Sequence, residues 1–202
     1  MIFFLVYFIV TYMIAAMPTG YWMGKLYGID LTATGSGSTG ATNVMRLVGK
    51  WQALVVFSLD MLKGFAPVYY AKNYSPEFNT NSPWILLVLT LVPIIAHSKS
   101  IFIGFKGGKS SATGFGVLMA LNPLIAVITI VTWGAVVFFS GYSSLGSIIS
   151  VPLVPIWLYV FGESLPVISF GILAFIYIVL IKHSSNIVRL IKGEEYNFRD
   201  KS

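Results

Sequence analysis

The length of the uncharged apolar runs constrains this chain more than any other feature. A bilayer core about 30 Å thick is crossed by about 20 helical residues, and several stretches approach that length. The first runs from Met1 to about Trp22, the second from about Trp51 to Ala71, and a shorter third from about Trp84 to Ala96. Ala112 to Phe139 follows, interrupted by Asn122-Pro123; the last two are Ser147 to Phe161 and Leu165 to Ile181, divided by Gly162-Glu163-Ser164. Of the residues 56% are apolar and only 10% charged, against roughly 25% charged in an average soluble domain. One water-facing core could not hide that surface, and the same balance excludes a disordered, collagen-like or coiled-coil chain. The expectation is an all-α integral membrane protein. The first run lacks the basic leader and small-x-small cleavage site of a signal peptide, so it is read as a retained helix. No internal repeat and no long linker appears, so residues 1–202 are read as a single membrane-embedded domain.

Charge decides how many times the chain crosses. Read as one kinked helix, 112–139 gives six spans; read as two helices turning at Asn122-Pro123, it gives seven. With seven, the loops 23–50, 98–111 and 140–146 and the tail after 181 share one side. That side then carries Lys25, Arg46, Lys50, Lys99, Lys106, Lys109, Lys182, Arg189, Lys192, Arg199 and Lys201, and the opposite side only Lys72. With six, the basic residues divide evenly. Basic residues accumulate on the cytoplasmic side, so the expectation is seven transmembrane helices, some shorter than a full span, with the N-terminus outside and the C-terminus cytoplasmic. The net charge of +6 then needs no nucleic-acid partner. The chain has no cysteine, seven carboxylates and two histidines. Disulfides, thiol catalysis and thiolate metal sites are therefore excluded, and little remains to hold a metal ion.

Three polar segments fall on the basic side. The first is Thr34-Gly35-Ser36-Gly37-Ser38-Thr39-Gly40-Ala41-Thr42-Asn43, followed three residues later by Arg46. Small residues allow close backbone approach. Backbone amides, with the hydroxyls of Ser36, Ser38, Thr39 and Thr42, would ring an anion, and a helix starting near Thr42 would add its dipole. Arg46 would add a forked cation suited to phosphate; the alternative is a flexible Gly/Ser loop. The second segment is Phe105-Lys106-Gly107-Gly108-Lys109-Ser110-Ser111-Ala112-Thr113. It is no Walker A loop, because residue 103 is Ile where that motif needs Gly, yet a Gly-Gly turn, Lys109 and hydroxyls still lead into a helix start. Lys106 is read as a topogenic charge in solvent. The third is His183-Ser184-Ser185-Asn186-Ile187-Val188-Arg189-Leu190, then Gly193-Glu194-Glu195. His183, Asn186 and Arg189 share a helix face at spacings of three and four, facing either a ligand or, as a basic amphipathic tail, the lipid surface. Asp60 and Lys63 are expected to pair with each other inside an apolar helix. No carboxylate stands at a sequence spacing that would orient either histidine.

The sum implies an anionic, phosphorylated ligand, one carrying an acyl chain being the natural choice for a lipid-embedded bundle. The residues also resemble a known family. Gly35-Ser36-Gly37-Ser38-x-Gly40-Ala41-Thr42-Asn43-Val44-x-Arg46 is similar to the first motif of the bacterial PlsY family, the acyl-phosphate:glycerol-3-phosphate acyltransferases. So are the flanks Pro18-x-Gly20-Tyr21 and Leu59-Asp60-x-Leu62-Lys63-Gly64. His97 with Phe105-Lys106-Gly107-Gly108-Lys109-x-x-Ala112-Thr113 resembles the second motif. His183-x-x-Asn186-Ile187-x-Arg189-Leu190-x-x-Gly193-x-Glu195 resembles the third, and Ser143-Ser144-Leu145-Gly146-Ser147 a serine-bearing loop. The chain departs from the family pattern at Ser38 (usually Asn), at Ser110 (usually Gly) and at Ala96 and Ser100 (usually Gly and Pro). Ser110 would restrict a turn that glycine leaves free.

The resemblance implies an inner-membrane enzyme of phospholipid synthesis with a cytoplasmic active site. It would move a fatty acyl group from acyl phosphate to the sn-1 hydroxyl of glycerol 3-phosphate, giving lysophosphatidic acid and inorganic phosphate, without metal or cofactor. The implied catalytic residues are Ser36, Arg46, Lys109, His183 and Asn186. The implied substrate-binding residues are Gly37, Ser38, Gly40, Thr42, Asn43, Gly107, Gly108, Ser144, Arg189 and Glu195. Ser36, Ser38, Thr42 and Asn43 would cradle one phosphate with backbone amides. His183, Asn186 and Ser144 would orient glycerol 3-phosphate. A transporter for a phosphorylated solute would also use broken helices and cations, and an inactive relative would bind lipid without turnover. The His-x4-Asp acyltransferase motif is absent, since Phe102 and Val188 occupy the fifth positions after the two histidines.

Overall fold

The structure is a computed structural model that describes residues 1–75, 77–78 and 83–199. Lys201, counted above among the basic residues, lies outside the described residues. Helix is the only regular structure among the described residues beyond an isolated bridge between Ser100 and Lys106. Lipid offers no partner to a bare peptide group, so each segment bonds its own backbone. The chain groups into two compact units, residues 1–121 and 122–202.

In the first unit, α1 (Ile2–Ala16) stops at Met17-Pro18, where proline has no N–H to continue the ladder, and α2 (Thr19–Leu26) resumes at once. Together they form a 25-residue apolar stretch. α3 (Ala41–Leu47) is short, and α4 (Lys50–Tyr74) is the long central helix. Pro67 interrupts it without ending it, and the Pro67 carbonyl accepts from the Tyr7 hydroxyl at 2.7 Å. α5 (Pro83–Ser98), a 3-10 turn (Ile101–Ile103) and α6 (Ser111–Leu121) complete the unit. α6 crosses α4 backbone to backbone. A Cβ on Gly116 would fall 1.9 Å from the Met61 carbonyl oxygen, the close approach that small residues permit between membrane helices. Lys72 donates to the Leu121 carbonyl at 2.5 Å and so caps α6, a cation at the negative end of a helix.

In the second unit, α7 (Pro123–Ser140) starts at the proline, with the Asn122 side chain accepting from Ile125 N at 3.1 Å. The Asn-Pro step therefore ends one helix and begins another. α8 (Ser143–Val160) follows after a tight turn. α9 (Leu165–Phe175) passes into a π-helical turn (Ile176–Ile181), and α10 (Ser184–Lys192) leaves it at 52°. Among the described residues, four stretches can cross a membrane by length and composition: 2–26, α4, α7 and α8. A fifth counts if the bent pair is one span, whereas α5 and α6 are shorter apolar helices. Exposed Ile2, Leu5 and Ile9 on α1, and Val127, Val131 and Phe138 on α7, suit hydrocarbon rather than water.

Candidate functional site

The first polar segment is anchored on α4. Leu31 before it and Val44 on α3 are fully buried and pack with Val56 of α4. Asn43 organises the loop between them. Its Nδ2 donates to the carbonyls of Leu31 (3.3 Å), Thr34 (3.1 Å) and Ser38 (2.9 Å), while its Oδ1 accepts from Ser36 N at 3.1 Å. Other amides are also engaged internally. Gly37 N donates to Thr34 O, Gly40 N to Ser38 Oγ, and Asn43 N to Gly40 O. The amides of Ser36, Gly37, Gly40 and Asn43 thus shape the loop, and the Asn43 side chain organises it. What the segment offers outward is side chains, with Ser36 and Thr42 exposed and Ser38 and Arg46 half-buried.

Upstream, Asp30 forms an Asx turn that motif reading missed. Its Oδ1 accepts from the Thr32 hydroxyl (2.7 Å) and Thr32 N (2.9 Å), and its Oδ2 pairs with Lys25 at 3.0 Å. The Thr32 hydroxyl, then Lys25 and the Thr32 amide, hold the Asp30 carboxyl down at about 2. The Asp-x-Thr spacing is the signal that could have revealed it.

The second segment lies over a buried charge cluster. Asp60 Oδ1 pairs with Lys63 Nζ at 2.8 Å, as expected. It also accepts from the Thr19 hydroxyl at 2.5 Å and lies 3.5 Å from His97 Nδ1. A carboxylate therefore does stand beside a histidine, supplied from 37 positions away in sequence by helix packing rather than by spacing. Gly108 N donates to the His97 carbonyl at 3.2 Å, so this amide too is internal. A Cβ on Gly108 would lie 2.1 Å from His97 Nε2, so the Gly107-Gly108 turn rests directly on the His97 ring. Ser110 adopts a left-handed φ of 66° and donates its hydroxyl to Ile94 O at 2.6 Å. Ser100 donates its hydroxyl to Ala16 O (2.5 Å) and its amide to Lys106 O (3.0 Å); the latter bond is one that a proline could not make. Lys106 is exposed, as expected of a topogenic charge, and Lys109 is half-buried.

The third segment lies in the second unit. The buried His183 caps α10, and its Nδ1 sits 2.7 Å from the Ile178 carbonyl. A carbonyl oxygen only accepts, so Nδ1 carries a proton in this contact, and in the neutral form of the ring Nε2 would be the acceptor atom. The π-turn presents that carbonyl, and nothing in the sequence announces a π-turn. Asn186 Nδ2 and Arg189 Nε reach the two oxygens of Glu195, each at 2.8 Å. Bonds from Gly193 N to Leu190 O and from Glu194 N to Arg189 O reverse the chain and bring Glu195 back to α10. Glu195 thus holds Asn186 and Arg189. Ser144, in the first turn of α8, is buried, and its hydroxyl oxygen has no hydrogen-bond partner among the described residues. No group of three or more potential metal ligands occurs among the described residues.

Comparison with known proteins places these features. The family described as Glycerol-3-phosphate acyltransferase matches residues 5–193. The glycerol-3-phosphate acyltransferase of Desulfotalea psychrophila is 38% identical over 194 residues, covering 96% of this chain and 97% of the relative. That of Trichormus variabilis is 42% identical over 200 residues, covering 93% and 88%. A crystal structure of PlsY, an integral membrane glycerol 3-phosphate acyltransferase, in its glycerol 3-phosphate form aligns with a TM-score of 0.89 at 36% identity. It covers 96% of this chain and 95% of that one. Its lysophosphatidic acid form aligns at 0.86 and 35%, covering 96% and 94%.

Proposed function

The chain belongs to the glycerol-3-phosphate acyltransferase family and is a membrane enzyme that acylates glycerol 3-phosphate; from that premise we propose how its own residues divide the work. The donor is an acyl phosphate and the acceptor the sn-1 hydroxyl of glycerol 3-phosphate, so the products are lysophosphatidic acid and inorganic phosphate. Residues 1–202 act as one catalytic domain with seven membrane-inserted segments. The N-terminus is outside, the C-terminus cytoplasmic, and the site opens on the cytoplasmic face of a bacterial inner membrane, in line with the distribution of Lys and Arg.

The state of His183 carries the mechanistic reading. Its Nδ1–H is fixed on a backbone carbonyl, which orients the ring but does not stabilise an imidazolium as a carboxylate would. His183 Nε2 therefore accepts a hydrogen bond from the attacking hydroxyl and aims it, with Asn186 and Ser144 positioning the rest of glycerol 3-phosphate. The hydroxyl oxygen bonds to the acyl carbon, the acyl carbon–phosphate oxygen bond breaks, and the hydroxyl proton passes by way of His183 Nε2 to an oxygen of the departing phosphate. No protein nucleophile is needed, because a mixed anhydride is already activated. Arg46 and Lys109 neutralise the charge gathering on that phosphate, and the hydroxyls of Ser36, Ser38 and Thr42 complete its surroundings. Purified protein given palmitoyl phosphate and labelled glycerol 3-phosphate, with palmitoyl-CoA as the control donor, tests the reading. Arg46→Ala and Lys109→Ala should each lower transfer by about 10²-fold or more while insertion persists. Near-normal rates at saturating substrate would refute the assigned roles, and transfer from the CoA thioester would refute the donor.

A further inference from the structure

We propose that the segment after the third motif, Asn197 to Arg199, is a positioning strap that fixes the serine-bearing turn relative to Asn186, and that Asn197 and Arg199 are positioning residues for glycerol 3-phosphate. The proposal rests on the roles given above to Ser144 and Asn186. The family match ends at residue 193, so nothing in it assigns this segment a role.

A helix leaves its last four carbonyls without intrahelical partners. At the end of α7 each of the four is satisfied. Gly141 N takes Val137 O at 2.8 Å. The other three are taken by the tail. Arg199 Nη2 reaches both Phe138 O and Phe139 O (the latter at 2.9 Å), and Asn197 Nδ2 reaches Ser140 O at 3.1 Å. The next carbonyl, Gly141 O, accepts from Phe198 N at 2.9 Å, and Asn197 Oδ1 accepts from Arg199 N at 2.9 Å. The fit is close: Gly141 has φ +81°, and a Cβ there would fall 2.0 Å from Asn197 Oδ1.

The same segment is tethered at its other end. Glu195, two residues before Asn197, holds Asn186 and Arg189 of α10. Two residues of extended chain span only about 7 Å, so little slack separates the two attachments. Ser144 lies three residues beyond Gly141, on the first turn of the next helix. The tail therefore ties the turn that presents Ser144 to the helix that presents Asn186. A solvated tail used only to cap α7 would not need its other end fixed on α10.

Full-length protein in membranes tests this by steady-state kinetics with glycerol 3-phosphate and palmitoyl phosphate. Each hydrogen bond lost corresponds to about a fivefold change in affinity. Asn197→Ala and Arg199→Ala should each raise KM for glycerol 3-phosphate by about that factor or more while KM for palmitoyl phosphate stays unchanged, with at most a few degrees' fall in the thermal midpoint from the lost caps. Arg199→Lys, which keeps a cationic donor at the α7 terminus, should restore most of the loss. An unchanged KM for glycerol 3-phosphate, or equal losses for both substrates alongside a lowered thermal midpoint, would overturn the strap. Asn186→Ala in the same assay separates the two layers. If it impairs glycerol 3-phosphate use and the tail variants do not, only the strap falls. If it does not, the assignment of Asn186 falls and takes the strap with it.

Discussion

Ser110 stands where related proteins usually have glycine, and its geometry yields a signed prediction for two substitutions. A left-handed conformation costs a residue with a Cβ about 1–2 kcal/mol, and Ser110 sits there at φ 66°. Its hydroxyl offsets this by donating to Ile94 O at 2.6 Å in a fully buried position, a bond with a net value of about 1 kcal/mol. Ser110→Gly removes the strain, loses the bond and adds unfolded-state freedom of roughly 0.5–1 kcal/mol. These changes cancel to within about 1 kcal/mol. Ser110→Ala keeps the strain and loses the bond, so it should be less stable by about 1 kcal/mol. For a chain of this size that lowers the melting temperature by roughly 2–4 °C. Thermal unfolding of detergent-purified variants, with acyl transfer measured in parallel, reads both. The glycine variant should match the parent in stability and rate, and the alanine variant should melt lower. An alanine variant as stable as the parent would show that the Ile94 bond contributes nothing. A glycine variant melting many degrees higher would show the strain to be uncompensated.

Three further outcomes follow from the same geometry. Asn43→Ala removes four hydrogen bonds of the loop, three donated by Nδ2 and one accepted by Oδ1, a loss of about 2–6 kcal/mol. Asn43→Asp should be worse, since it turns an oxygen toward the carbonyls of Leu31, Thr34 and Ser38; protease sensitivity of residues 34–40 reads this, and Asp tolerated better than Ala would contradict it. Gly116→Ala places a methyl 1.9 Å from the Met61 carbonyl oxygen and should destabilise by about 1–3 kcal/mol; a melting temperature equal to the parent's would mean that α4 and α6 part without penalty. Asp30 should titrate at about 2, below the ordinary value of about 3.9. Its depressed folded-state value means that its contribution is complete above the unfolded value and lost as pH falls through about 2. Carboxyl NMR of the parent and Thr32→Val follows this, and the substitution should move the titration upward; an unmoved titration would discount the Thr32 hydroxyl.

The helical class and most segment bounds were legible because lipid imposes one rule on every peptide group, and apolar run length reports where it applies. At Asn122-Pro123 the local sequence fits a kink as well as a turn, and only charge counting across the bilayer favours two helices there. The Asp60–Lys63 pair was readable from its i,i+3 spacing. The approach of His97 to the same carboxylate was not, because 37 residues separate them and only the packing of α4 and α5 closes the gap. The Ile178 carbonyl that fixes His183 depends on a π-turn inside an unbroken apolar run, where no residue type marks the change of pitch. Asn197 and Arg199 were visible only as a polar residue and a topogenic charge, because their partners are backbone carbonyls and carry no sequence signal.

The internal use of amides changes what the glycines are for. A Gly- and Ser-rich loop is read from sequence as a ring of free N–H groups awaiting an anion. Here the N–H groups of Ser36, Gly37, Gly40, Asn43 and Gly108 already have acceptors, and Gly108 serves close packing on His97. These internal bonds hold the loop's shape before substrate arrives. In the function proposed above, the side chains of Arg46 and Lys109 supply the positive charge for the phosphate. In the proposed mechanism Arg46 and Lys109 meet the negative charge that shifts onto the former bridging oxygen as its bond to the acyl carbon breaks, and an interaction that strengthens there is the differential binding that lowers a barrier.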